Sequence, residues 1–266
     1  MKNVTRPLAF VLASTNHGTL IVNRNDYQMV DKSHGYGVGF QLLNQSCFDP
    51  EEVDLVLRLL ELRRKHFGDG VVAFDCGANI GIHTVEWARL MANWGSVIGI
   101  EAQERLYYAL AGNIAINNCF NATAVHGAVG AENGILSIPR LDYNTTTSFG
   151  SFELKKRTNT ESIGQLVDYE NNMQEIGIVS IDSFDPARLD FIKIDVEGME
   201  LDVLDGARQS IERHWPQMLI ESIKTDKIEL LRRFKQWGYE SFELGINFLA
   251  IHETDPSRAA ITVNNT

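Results

Sequence analysis

Five short segments carry side chains with an evident chemical use, and each lies at the end of an apolar run. Asp75 follows Val71–Phe74 and opens the turn Asp75-Cys76-Gly77-Ala78-Asn79-Ile80-Gly81. Glu101 follows Ser96–Ile100, with Ala102 next to it. Val125-His126-Gly127-Ala128-Val129-Gly130 closes a third run. Asp195 and Glu197 follow Phe191–Ile194, and Glu221 follows Met218–Ile220. Four of these five stations bear a carboxylate, which is a poor lining for a phosphate. It suits cationic groups and hydroxyls that donate hydrogen bonds.

The glycines of the first turn permit positive φ and a close approach of the backbone to a ligand. Their spacing is not the G-x-G-x-x-G of a dinucleotide site, and Asp75 would repel a pyrophosphate. S-adenosylmethionine carries a sulfonium and an ammonium and no phosphate. It suits a turn with an acid beside it, and the N–H groups that open the following helix would meet its carboxylate. Asp75, Gly77, Ala78, Asn79 and Gly81, with His83 and Thr84 just beyond, form the first part of such a pocket. Glu101 stands where a carboxylate accepts hydrogen bonds from both ribose hydroxyls. Ala102, Ala128 and Val129 are small enough for an adenine to lie against the backbone.

Asp195, Glu197 and Glu221 have the chemistry to orient a substrate hydroxyl or take its proton. The same three acids could hold a hard cation such as Mg²⁺, although nothing in their spacing demands a metal. Plainer roles stay open for all of these residues. The glycine turn would serve any strand-to-helix connection. Glu101, Glu197 and Glu200 would complement a helix N-terminus. Lys193 shares a strand face with Asp195 and, if buried, needs an ionic partner. Asp182-Ser183-Phe184-Asp185 reads as the cap of a short helical turn. His83, His126 and His252 read as surface or satisfied histidines. No G-x-S-x-G elbow, H-E-x-x-H or P-loop occurs.

The elements that must position these residues follow from hydrophobic patterning. From Val71 onward, uniformly apolar runs alternate with helical segments, the pattern of a parallel sheet covered on both faces. Helices are expected over Ile82–Ala92, through Leu106, Leu110 and Ile114, over Glu200–Arg213 and over Asp226–Trp237. Tyr239–Leu244 and Phe248–Ile251 form a closing antiparallel pair. Residues 1–70 form an N-terminal extension, with short strands at Leu20–Val22 and Val38–Phe40. A helix follows, with Asp49 as N-cap, Pro50 in the first turn and Gly68 at its end. Residues 139–177 are polar and irregular, an insertion or cap with a short helix over Ser162–Tyr169. The tail after His252 is loose.

Composition narrows the partners. The 266 residues are 44% hydrophobic, enough for a sizeable core, and the net charge of -11 disfavours nucleic acid. The basic runs Arg63–His66 and Lys155–Arg157 are solvated surface. Three cysteines, Cys47, Cys76 and Cys119, lack metal spacing and fit a reducing compartment. Lys2 and Arg6 precede an apolar stretch, Leu8–Leu12, too short for a signal peptide, and no run reaches membrane-spanning length. A cytoplasmic location follows, in which sequons such as Asn121-Ala122-Thr123 carry no meaning.

Val71–Gly81 (VVAFDCGANIG), Ser180–Phe184 (SIDSF), Phe191–Glu200 (FIKIDVEGME), Val203–Ala207 (VLDGA) and Met218–Glu221 (MLIE) together resemble the FkbM-type methyltransferases. The resemblance spans Val71 to Ile251, apart from most of the insertion. It implies a class I methyltransferase sheet, Rossmann-like and mostly parallel, with S-adenosylmethionine as cofactor. It further implies methylation of a hydroxyl of a sugar, polysaccharide or other small natural product. Asp75, Gly77, Asn79 and Gly81 would hold the methionine end and Glu101 the ribose, with Asp195 and Glu197 facing the transfer centre. His83-Thr84 stands where the family often has an aromatic. The extension and insertion match no family motif and would choose the acceptor. Two rivals use the same fold: a nicotinamide-dependent oxidoreductase, against which the glycine spacing argues, and a non-catalytic cofactor-binding module.

Overall fold

The computed structural model describes residues 7–31 and 34–261; Lys2 and Arg6 fall outside them. The chain begins with a hairpin of β1 (Phe10–Thr15) and β2 (Gly18–Asn23), then a two-residue ribbon of β3 (Gln28–Met29) and β4 (Gly35–Tyr36). Next come α1 (Val38–Gln45) and α2 (Pro50–Phe67). The expected strand at Val38–Phe40 is therefore the first turn of a helix. Its three residues are too few to show the period. Extended to Leu42, the pattern buries Val38 and Leu42, four apart, and leaves Leu43 exposed. Asp49 precedes α2 in left-handed geometry, and its carboxylate caps nothing; it accepts a hydrogen bond from the Gln41 amide instead.

The central region runs β5 (Val71–Cys76), α3 (Ile82–Leu90), β6 (Gly95–Glu101), α4 (Glu104–Ile116), β7 (Ala122–His126), β8 (Ala128–Val129), β9 (Gly134–Pro139) and β10 (Met173–Val179). It continues through β11 (Phe191–Ile194), α5 (Glu200–Gly206), α6 (Arg208–His214), β12 (Gln217–Glu221), α7 (Lys227–Gln236), β13 (Tyr239–Leu244) and β14 (Asn247–His252). Seven strands form one sheet in the order β13-β14-β12-β11-β5-β6-β7. Only β14 runs against its neighbours. Along β5, Val71 and Ala73 enter the core on one face, with Trp87, Met91 and Leu60. Phe74 and Cys76 enter the other, with Ile192, Leu204 and Phe234. Burial on both faces is what the unbroken apolar runs require. Among the described residues no helix is long and apolar enough to cross a membrane.

The helix expected over Glu200–Arg213 is two helices. The break at Ala207 is fixed by Asp182, whose carboxylate accepts the N–H groups of Gln209 (2.9 Å) and Ser210 (2.8 Å) and caps α6. The region 139–177 is also more ordered than its composition indicates. Met173–Gly177 is strand, paired antiparallel with β9 in a small sheet of order β8-β10-β9. Ser162–Tyr169 is not helical. Its polar side chains bond to the neighbouring chain instead, Gln165 to Thr147 (2.6 Å) and Tyr169 to the Glu153 carbonyl (2.9 Å). The tail is packed as far as Ile261: Asp255 is buried and accepts from Arg63 at 2.9 Å, so Arg63, expected in a solvated basic run, is instead buried because Asp190 and Asp255 pair with it.

The extension and the insertion are stitched to each other. Asn23 and Asn25 both donate to the Tyr143 carbonyl, and the Thr147 N–H donates to Asn25. The buried Asp26 carboxyl accepts the Phe149 N–H at 3.0 Å. Phe149 sits in one apolar cluster with Leu20, Val22 and Val38 of the extension and Ile80, Ile82 and Leu106 beneath. Together the two segments make a roof over the carboxyl ends of β5, β6 and β11.

Candidate active site

Strand order runs outward from the β5–β11 pair in both directions, so a crevice opens between their carboxyl ends. The Asp195 N–H still donates to the Cys76 carbonyl (3.0 Å), and beyond that point the two chains diverge. Gly77, at φ +82°, turns the first chain back over β6, where its N–H and that of Ala78 both reach the Ile100 carbonyl at 3.0 and 2.9 Å. A β-carbon on Gly77 would collide with the Asp195 carbonyl oxygen. The close approach of the two strand ends therefore depends on glycine.

A cavity of about 420 Å³ fills this crevice. Asp75, Gly77, Ala78, Asn79, His83, Glu101, Ala102, Ala128 and Val129 line it together with Lys193, Asp195, Glu197 and Glu221. Gly81 and Thr84, expected among the cofactor residues, are not in its wall. Gly81 starts α3 at φ +87°, where a side chain would strike Leu110. Thr84 is fully buried and donates to Asp75 at 2.6 Å, so it anchors the acid rather than meeting a ligand.

Glu101 ends β6 with its carboxylate folded back onto the glycine turn. One oxygen accepts the Asn79 N–H (2.9 Å) and the other the Gln103 N–H (2.7 Å). Burial pushes its carboxyl up to about 7 in spite of these two donors. Each oxygen keeps a second lone pair for a ligand hydroxyl.

On β11, opposite Asp75, Lys193 donates to Asp195 at 2.8 Å, the ion pair that strand alternation suggests. Burial works against the charged ammonium, but Asp195, Glu52 and Asp75 together raise its affinity for the proton. Glu197 sits at φ +56° just past the strand and is paired with Lys224 at 2.6 Å. Glu221 has no ion pair or hydrogen bond among the described residues, and its Oε2 is fully buried. Burial first, and then the charge of Asp195, push the Glu197 and Glu221 carboxyls well above the usual range.

Two contributors escape the sequence patterns. Glu52 reads as an acid in the first turn of α2, yet it reaches the Asn247 amide at 2.6 Å and lies 3.1 Å from His83 Nε2. Burial opposes ionisation of Glu52, but His83, Lys193 and Asn247 outweigh it and bring the carboxyl down to about 2. Lys224 follows Glu221 by three residues, and the only sign of it in the sequence is a lone cation after a strand end. His126 and His252 stay outside the cavity, stacked on Tyr107 and Trp215.

Residues 75–241, more than half of the chain, match the family described as the methyltransferase FkbM domain. No curated protein matches the chain in sequence. Among solved structures, the chain is similar to the methyltransferase FkbM from Methylobacillus flagellatus KT, with 18% identity and a TM-score of 0.48. That similarity covers 69% of this chain and 43% of the other, so this chain spans less than half the length of that protein. The precorrin-6y C5,15-methyltransferase from Geobacter metallireducens GS-15 is 14% identical, covering 78% and 90% of the two chains at a TM-score of 0.43. A SAM dependent methyltransferase from Aquifex aeolicus is 12% identical, covering 77% and 97% at 0.36. The family match, carried on a mostly parallel seven-stranded sheet with acids at its carboxyl ends, assigns the chain to the FkbM family of S-adenosylmethionine-dependent methyltransferases.

Proposed function

We propose that this enzyme transfers the methyl group to a hydroxyl oxygen of a sugar, a polysaccharide or another small natural product. The carrying observation is that one cavity is lined both by Asp75 and Glu101 and by the cluster of Asp195, Glu197 and Glu221. The residues fit the cofactor. Gly77 admits no side chain, the Lys193 ammonium in the wall is already held by Asp195, and Glu101 keeps lone pairs for two hydroxyls. Asp75, Gly77, Ala78 and Asn79 would hold the methionine end, Glu101 the ribose, and Ala102, Ala128 and Val129 the base. When bound, the cofactor supplies an electrophilic methyl group.

This chain supplies alignment and proton removal. Lys193 holds the Asp195 carboxylate by one oxygen, leaving the other for the acceptor O–H, which Asp195 orients and deprotonates. Glu197 and Glu221 flank it. The roof, with Tyr36 and Phe48 from the extension and Phe152 from the insertion, lines the same cavity and would keep water from the transfer. A net charge of -11 disfavours nucleic acid as acceptor, and three free cysteines fit a cytoplasmic setting.

Titration calorimetry with S-adenosylhomocysteine and with NAD, followed by labelled methyl transfer to a panel of hydroxyl acceptors, tests the reading. S-adenosylhomocysteine should bind and NAD should not. Binding of NAD alone would overturn it.

A further inference from the structure

We propose that Asp195, Glu197 and Glu221 form a divalent-cation site, of a kind to take Mg²⁺ or Mn²⁺, at the acceptor end of the cavity. One carboxylate oxygen from each lies within 4.8 Å of the other two. An all-oxygen set of this spacing suits a hard cation. The sheet itself assembles it: β11 and β12 run parallel with Ile194 opposite Ile220, so Asp195 and Glu221 emerge side by side.

The second observation is the state of Glu221. It is 9% exposed, and its Oε2 is buried without a hydrogen-bond partner. Among the described residues, the other buried carboxyls are satisfied. Asp190 takes both arginines that face it, and Asp26 takes a backbone N–H. A buried carboxyl left unpaired is costly, and such a group needs a ligand to explain it.

The nearby lysines do not fill the site. Lys193 engages one oxygen of Asp195, and Lys224 engages one oxygen of Glu197. Lys224 is shared further with Glu153 at 3.6 Å and with the Ser151 carbonyl at 2.9 Å. Each of the two carboxylates keeps its other oxygen, which on Asp195 the cation and the acceptor O–H would share, and Glu221 keeps both. Mg²⁺ binds through a few carboxylates and retains open positions for water or a substrate oxygen. On the hydroxyl-acceptor reading above, on which this use of the cation rests, it would stand beside the oxygen that sheds its proton and make that loss easier.

The test is Mn²⁺ binding to the full chain, followed by electron paramagnetic resonance of the free ion, without cofactor or acceptor. One Mn²⁺ per chain, displaced by Mg²⁺, is expected. Glu221→Gln should weaken it by about tenfold or more through loss of one charged ligand, and Glu132→Gln, on the exposed surface, should leave it unchanged. Failure of the wild type to take up Mn²⁺, or equal uptake by Glu221→Gln, would overturn the site. If circular dichroism shows Glu221→Gln unfolded, Asp195→Asn carries the same comparison. Calorimetry with S-adenosylhomocysteine on the same samples keeps the two ideas apart. Cofactor binding without Mn²⁺ uptake sinks the cation site and spares methyl transfer. Mn²⁺ uptake without cofactor binding does the reverse.

Discussion

The two ends of strand β11 place acids in opposite circumstances. Before it, Asp190 is fully buried and saturated: it accepts Arg63 at 3.1 Å, Arg188 at 2.7 and 3.0 Å, and the Val72 N–H at 3.0 Å. Asp255 beside it takes Arg63, Gln217 and the Ser257 N–H. After the strand, Asp195, Glu197 and Glu221 crowd together with fewer donors, and Glu221 has none. Chemistry needs polar groups with unspent valence, and structure needs them spent. The difference between the ends tells a clamp from a reaction centre.

That contrast can be broken by four measurements, taken from the largest expected effect to the smallest. Asp195→Asn should cut methyl transfer by about 10²- to 10⁴-fold while S-adenosylhomocysteine still binds, as read by calorimetry and labelled transfer. Full activity would remove Asp195 from the mechanism. Asp190→Ala should cost about 3–5 kcal/mol of stability, because it strands two arginines. Urea unfolding measures this, and the molecules that remain folded should keep their activity.

Glu101→Gln should weaken S-adenosylhomocysteine by about ten- to a hundredfold, the worth of hydrogen bonds to a charged acceptor. Because burial raises the Glu101 carboxyl to about 7, the wild type should bind more tightly as pH rises through that value. A flat profile would separate Glu101 from the ribose. The smallest effect is on Glu221. Its carboxyl is raised in the folded state, so the fold binds that proton more tightly than the unfolded chain does. This contribution is present at low pH and is lost as pH climbs beyond the ordinary carboxyl range. Glu221→Gln in metal-free buffer should therefore be neutral or stabilising, by on the order of 1 kcal/mol above pH 7, and should flatten the dependence. A marked destabilisation would place Glu221 with the clamp acids.

Much of this is legible in the sequence. Continuous apolar runs such as Val71–Phe74 and Phe191–Ile194 encode burial on both faces, and the residues that end them are the ones the cavity collects. The pair Lys193–Asp195 followed from a period of two. The misreadings share one cause. Val38–Phe40 was too short to show its period, the break at Ala207 depends on Asp182 from a distant turn, and the polar stretch 139–172 folds on hydrogen bonds to the extension. Gly81 and Thr84 belong to the turn motif but face Leu110 and Asp75 rather than the cavity.

By itself the amino-acid order determined the sheet, its parallel sense and the acids at its carboxyl ends, because periodicity and turn chemistry act over a few residues. Only the tertiary structure decided which of those acids are spent and which are open. Glu52 and Glu153 come from outside the strand ends to compete for the same two lysines, and Glu221 is buried without a donor. Such a balance of charge and desolvation exists only between segments that the chain order keeps far apart.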